Sequence, residues 1–267
     1  MRLKTPAGAT AIVSLQGAQV LSWIPASGGE RLYLSDLARF GEGAAIRGGV
    51  PVIFPQFGTF GPGQRHGFAR GRSWRLESVR QEGGFACVVL QLGDDAETRA
   101  LWPHAFMVEL TVMIEENRLD IELEVFNRDT TGFEFSVALH TYLRLGNVEL
   151  ARLEGLEGKD YIDCVNGRER RHDSRYALLV DDAVDRIYLG IDRPLLLSET
   201  GRQLAIEQSG FGDTVVWNPW ESGMANLPDM APLDFKRMLC VEAASVEPPV
   251  MLAPEKSWCG RQTLVAL

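Results

Sequence analysis

The segment "FMVELTVMIEENRLDIELEVFNRD", residues 106–129, alternates apolar and polar residues with a period of two over two consecutive runs. Val108, Leu110, Val112 and Ile114 alternate with Glu109, Thr111, Met113 and Glu115. Beyond the turn signal "ENR", Leu119, Ile121, Leu123 and Val125 alternate with Asp120, Glu122 and Glu124. An extended chain sends successive side chains to opposite faces, so this pattern predicts an antiparallel hairpin with one buried and one wet face. "GFEFSVALHTYLRL" repeats it, with Phe133, Phe135, Val137 and Leu139 on one face. "ATAIVSLQGAQVLSWI", "FACVVLQL", "RQLAIEQ", "DTVVWN" and "RMLCVEAASV" read as further strands. Helical periodicity is almost absent; a short helix is predicted near Asp229–Lys236, and residues 151–180 are read as a strand and a long loop.

Many strands, frequent glycine turns and few helices predict an all-β protein, a large antiparallel β-sandwich. At 267 residues, without repeats or a linker-like tract, the chain is expected to form one domain, residues 1–267. A net charge of −9 argues against nucleic acid as a general partner. No apolar run approaches the length of a membrane span, and the start has no signal-type apolar segment, so a cytoplasmic protein is expected. Cys87, Cys164, Cys240 and Cys259 match no zinc or CxxC spacing and are expected to be free thiols.

Against this acidic background, basic residues cluster around one apolar stretch. "AAIRGGVPVIFPQFGTFGPGQRHGFAR" carries Arg47, Arg65, His66 and Arg70. Arginine recognises phosphate or carboxylate through a planar fork of donors, and Gly48 and Gly49 would let backbone approach a ligand. Salt bridges to the protein's own carboxylates are the simpler alternative. His140 shares strand parity with Glu134, Ser136 and Ala138, away from the apolar face; it is either a solvated surface histidine or a general acid titrating near neutral pH. Glu242 is the one carboxylate in the otherwise apolar strand "RMLCVEAASV", and is either a paired structural group or a general base tuned by burial. Asp185, in "DDAVDRIYL", could cap a turn in a solvated loop. Asp120, Glu122 and Glu124 alternate on one strand and are expected on an outward face rather than around a metal.

Taken together, these residues resemble the hexose-6-phosphate mutarotases of the aldose 1-epimerase superfamily. The matching elements run in order along nearly the whole chain: "LYLSDLARF", "AAIRGGVPVIFPQFG", "HGFAR", "LWPHAF", "FSVALHTYLRL", "VDRIY", "VVWNPW" and "FKRMLCVEAASV". The resemblance implies a twisted β-supersandwich with the sugar in a cleft on one sheet. It implies that the enzyme is an isomerase interconverting the α and β anomers of a hexose 6-phosphate, working as a monomer without metal or organic cofactor. His140 would be the general acid, Glu242 the general base and Asp185 a ligand of sugar hydroxyls. Arg47 and Arg70 would line the sugar-phosphate pocket, and His66 would bind or orient substrate. Arg65 stands where the family often has Gln, "CVEAASV" replaces the commoner "CVETG", and Glu255 stands where Gly is usual. A free-sugar aldose 1-epimerase and a non-catalytic carbohydrate-binding protein on the same fold remain as alternatives.

Overall fold

The computed structural model describes residues 1–41 and 43–267. Its strands form three antiparallel sheets. Arg2–Lys4, Thr10–Val13 and Val20–Ile24 make a small one. The largest, of nine strands, runs in the order Ala177–Leu178, Arg152–Glu154, Leu195–Glu199, Arg202–Ser209, Ser257–Ala266, Arg118–Asn127, Phe106–Ile114, Phe85–Gly93 and Arg75–Glu82. The third, of eight strands, has the order Glu169–Asp173, Lys159–Asp163, Val184–Leu189, Asp213–Asn218, Met238–Leu252, Phe133–Leu139 and Val52–Ile53, with Tyr142–Arg144 also pairing with Met238–Leu252. The two large sheets face each other as a β-sandwich.

The predicted hairpin pairs Phe106–Ile114 with Arg118–Asn127 in the register Val108↔Val125 to Ile114↔Leu119. All eight apolar residues read from its alternation are buried between the sheets, beside Phe133, Phe135, Val137 and Leu139. On the outer face Arg118 bonds Asp120 through Nε and Nη2 at 2.6 and 2.9 Å, and Arg261 pairs with Glu122. Two of the three acidic residues of the row, Asp120 and Glu122, are thus paired with arginines.

Two local expectations are corrected. Residues 151–180 hold four short strands, Arg152–Glu154, Lys159–Asp163, Glu169–Asp173 and Ala177–Leu178, rather than one strand and a loop. The strands are short, and Glu169–Asp173 is exposed at four of its five residues, so no long apolar alternation marks the pairing. Near Asp229–Lys236 only a 3-10 turn forms, Asp234–Arg237. The capped helix is instead Ala96–Leu101, where Asp95 accepts from Thr98 N–H and Thr98 Oγ1 accepts from Asp95 N–H, a reciprocal capping box.

The eight-stranded sheet is covered on both faces. Opposite the sandwich core, Ile53, Phe57, Ala138, Ile187, Val215 and Ala244 form a second apolar cluster. The segment from Gln56 to His66 lies over it: Phe57 N–H donates to Ser136 Oγ at 2.7 Å, and the Gln56 amide accepts from Gly63 N–H and donates to Gly58 and Gly63 carbonyls. A groove remains beside this loop, and it holds the polar groups described next.

One buried amide joins the two large sheets behind that groove. Gln262, on the nine-stranded sheet, accepts from Thr141 Oγ1 and donates through Nε2 to Val241 O at 3.0 Å. It thereby ties the residues next to His140 and Glu242 to a common anchor. Gln262→Met keeps the volume but leaves the buried Val241 carbonyl unpaired, so unfolding stability should fall by about 1–3 kcal/mol. Urea denaturation of both proteins measures this; an unchanged midpoint would mean that the amide bears no such load.

Candidate active site

Cross-strand register assembles the site. Directly opposed residues in an antiparallel pair share a face. Asp185 opposes Trp217, Trp217 opposes Cys240, and Cys240 opposes Tyr142, giving one row across four strands. Glu242 lies one step along, opposing Val215, which opposes Ile187. His140 sits where the chain leaves Phe133–Leu139, held by its N–H to Pro51 O at 2.9 Å. Asp185, Trp217, Tyr142, Glu242 and His140 meet Arg47, Arg65, His66 and Arg70 in one cleft of about 420 Å³. All seven residues singled out from the sequence thus line a single cavity. A larger cavity of about 690 Å³, beside Ala96–Leu101, contains none of them.

His140 is 8% exposed, so the solvated-surface alternative does not hold. Parity placed it correctly away from the core, but the face it occupies is covered. Its ring stacks on Tyr142 at 4.8 Å with planes 10° apart, and meets Trp217 and His66 edge-on at 6.1 and 5.7 Å. Nδ1 of His140 lies 3.2 Å from Oε1 of Glu242, at ion-pair distance. The approach is too oblique for a directed hydrogen bond, and Nδ1 and Glu242 Oε2 are buried without another partner. Burial, then the nearby Asp185 carboxylate, pushes Glu242 well above the usual carboxyl range. Burial, then His66 and the Arg70 and Arg47 charges, pushes His140 well below the usual imidazole range. Such opposed displacements of adjacent groups mark acid–base sites.

His66 holds a left-handed backbone, φ 65°, and its Nδ1 accepts from Gly58 N–H at 3.2 Å. That bond leaves the proton of the neutral ring on Nε2. Gly67, φ 64°, follows because a Cβ there would lie 2.0 Å from Phe54 O. Gly48 and Gly49 serve the same purpose: a Cβ on either would strike the Tyr33 or Val20 carbonyl. They permit backbone–backbone approach, not approach to a ligand as their sequence suggested.

The arginines divide into two kinds. Arg47 donates from Nε to Asp229 Oδ2 at 3.1 Å and from Nη1 to the Tyr142 hydroxyl at 3.0 Å. Burial opposes its charge, but Tyr142 and Asp229 more than offset this and hold its pKa above the ordinary value. Here the salt-bridge alternative is what the structure contains. Arg70 has no carboxylate partner among the described residues; its only side-chain bond is from Nη2 to Arg65 O at 3.4 Å. Burial, with the Arg47 and Arg65 charges, lowers its pKa. A desolvated, unneutralised guanidinium is an anion site in waiting. Asp185 lies in the strand Val184–Leu189, not in a solvated loop, and burial raises its carboxyl pKa.

The aldose 1-epimerase family model matches residues 1–264. The chain belongs to the aldose 1-epimerase family. It is 35% identical to a protein of Cenchrus ciliaris described as "putative glucose-6-phosphate 1-epimerase", over 99% of this chain and 87% of that protein. It is 32% identical to an Escherichia coli protein of the same description, over 91% and 82% of the two chains. A crystal structure of a "putative mutarotase" from Salmonella typhimurium superimposes with a TM-score of 0.90 at 29% identity, covering 97% of this chain and 87% of that one. A galactose mutarotase-like protein from Lactobacillus casei, at 15% identity and a TM-score of 0.80, shares the fold over 99% of each chain.

Around this cleft stand several residues that the sequence did not single out. Tyr142 was within reach, since it follows His140 by two and shares its face. Trp217 lies within the "VVWNPW" motif, whereas Asn226, Asp229 and Arg168 carry no local signal; only loop packing brings these three in. His140, Cys240 and Glu242 also bring metal-type donor atoms within 4.8 Å of one another. Burial pushes the Cys240 thiol and the Glu242 carboxyl toward their protonated forms, which favours an acid–base pair over a cation cage.

Burial, reinforced by Arg70, Arg65 and Arg47, depresses His66 to about 3. The ordinary value is about 6.5. A depressed histidine favours its neutral form in the folded state, so its contribution is present above about pH 6.5 and is lost as pH falls toward 3. His66→Asn, which tolerates the left-handed backbone, should therefore lose less melting temperature than wild type between pH 6.5 and 4. Parallel pH-dependent melting curves would contradict this.

Proposed function

We propose that the protein interconverts the α and β anomers of a hexose 6-phosphate, with glucose 6-phosphate as the first substrate to test. Glu242 removes the proton from the C1 hydroxyl while His140 protonates the ring oxygen. The C1–O5 bond breaks, leaving an open-chain aldehyde. After rotation about C1–C2 the O5 hydroxyl attacks the other face of the carbonyl. His140 takes the O5 proton back and Glu242 returns a proton to the C1 oxygen, so both groups end as they began.

The electrostatics suit a reaction that must run both ways. An imidazole ordinarily holds its proton more tightly than a carboxyl group. Burial strengthens Glu242 as a base and His140 as an acid, working against that gap. Shifts in these directions oppose the ordinary preference for one direction of proton transfer. Asp185 accepts from sugar hydroxyls, Tyr142 and Trp217 supply apolar walls, and the neutral His66 donates through Nε2. The rigid sheet holds acid and base in fixed relation, as such transfers require.

The observation that carries the phosphate is Arg70, an uncompensated guanidinium in the cleft that holds the His140–Glu242 pair. Neutral sugars offer it no charge. The names of the Cenchrus ciliaris and Escherichia coli relatives support the same substrate. Exchange NMR of the α and β anomers of glucose 6-phosphate, against free glucose and galactose, tests the proposal. Equal or faster exchange of the free sugars would favour a free-sugar epimerase, and no exchange of any would favour a binding protein.

Glu242→Gln should lower the exchange rate about 10²- to 10⁴-fold, because the amide keeps the shape but cannot take the proton. Retention of activity within a few-fold would remove Glu242 from the chemistry.

Arg70→Ala should weaken apparent affinity for glucose 6-phosphate about 10- to 150-fold, from the loss of one charge-assisted bond of roughly 1.5–3 kcal/mol. Equal losses for glucose and glucose 6-phosphate, with a lowered melting temperature, would mark Arg70 as structural. Arg47→Ala should instead act mainly through stability, given its bonds to Asp229 and Tyr142.

A further inference from the structure

The rim of the cleft that holds Arg70 carries a second arginine with an unusual fixing. The strands Lys159–Asp163 and Glu169–Asp173 are joined by a five-residue turn, "CVNGR". The buried Asp163 shapes it: Oδ1 accepts from Asn166 N–H at 3.1 Å, Oδ2 from Asn166 Nδ2 at 3.0 Å, and its carbonyl from Arg168 N–H at 2.8 Å. Arg168 ends the turn at φ 63°, a left-handed position rare outside glycine and asparagine. This brings its side chain to the rim of the cleft. The guanidinium lies over the Phe60 ring, 4.0 Å from the centroid, and Nη2 donates to Thr59 Oγ1 at 2.7 Å. Among the described residues no carboxylate lies within ion-pair distance of it.

We propose that Arg168 completes the anion site, meeting the substrate phosphate together with Arg70, which lines the same cleft. This rests on the hexose-phosphate reading above and assigns to it a residue from a separate part of the chain. The ring contact and the threonine bond set the plane of the guanidinium, and its remaining N–H groups are left to donate. A planar fork held this way loses little freedom on binding an oxyanion. The location also explains a strained residue on a short turn, since strain in a packed fold collects at functional sites. Phe60 and Thr59 belong to the loop that carries Arg65 and His66, so phosphate bound to Arg168 would hold that loop over the sugar.

The test compares Arg168→Gln and Arg168→Lys with wild type. Arg168→Gln should lower the ratio of kcat/KM for glucose 6-phosphate to that for glucose by about 10- to 100-fold, mostly through KM. Arg168→Lys, which keeps charge but loses the fork, should fall between. Titration calorimetry with inorganic phosphate should show weakening by a similar factor, and this needs no turnover. An unchanged ratio with a lowered melting temperature would overturn the proposal and leave Arg168 as a loop anchor. So would wild-type phosphate affinity in Arg168→Gln. If wild type binds phosphate through Arg168 but does not turn over glucose 6-phosphate, the substrate assignment fails while the anion site stands.

Discussion

Strand register is the constraint on which this site depends. Glu242 opposes Val215, Ala243 opposes Leu139, and Tyr142 opposes Cys240. A slip of one residue along Met238–Leu252 would turn Glu242 into the sandwich core and send Val241 into the cleft, because side chains alternate along a strand. The core prevents it: Leu239, Val241 and Ala243 are buried between the sheets, and polar side chains have no place among them. Hydrophobic burial on one face thus fixes, to one residue, where the acid and base stand on the other.

The second condition is that the functional face is covered. An exposed glutamate and histidine would titrate near their ordinary values, and water would screen them from each other. The Gln56–His66 loop and the segment reaching Met230 exclude water over the middle of the sheet. The same burial leaves Arg70 short of a counter-charge in a protein whose net charge is −9. Arg47, by contrast, is neutralised by Asp229 and stiffens Tyr142, on which His140 stacks. Two arginines of similar sequence context therefore do different work, and the difference lies in what else reaches them.

The alternation in "FMVELTVMIEENRLDIELEVFNRD" was enough to give the hairpin and its buried face, because a period of two has one structural meaning over that length. The alternation around His140 gave its side of the strand. It could not say that this side is dry. The cover comes from segments more than seventy residues away in sequence from His140, and from a loop whose Gly and Pro content looked merely like a turn. Residues 151–180 misled for another reason: their strands are only two to five residues long, too short for alternation to show, and Glu169–Asp173 at the sheet edge is mostly exposed. Yet that region supplies Arg168.

What the sequence by itself determined was the class of fold and the chemical kinds of residue available. Alternation dictates sheets, and the ordered motifs from "LYLSDLARF" to "CVEAASV" identify the family and point to His140, Glu242, Asp185 and the arginines. What only the tertiary structure decided was proximity and dielectric. It brought His140 within 3.2 Å of Glu242, assigned Arg47 to Asp229 and left Arg70 unneutralised. It also brought Arg168 to the cleft. The physical reason is that hydrophobic patterning is local and survives in any window of sequence. Ion pairing and desolvation depend on which distant segments share a few ångströms, and no local pattern records that.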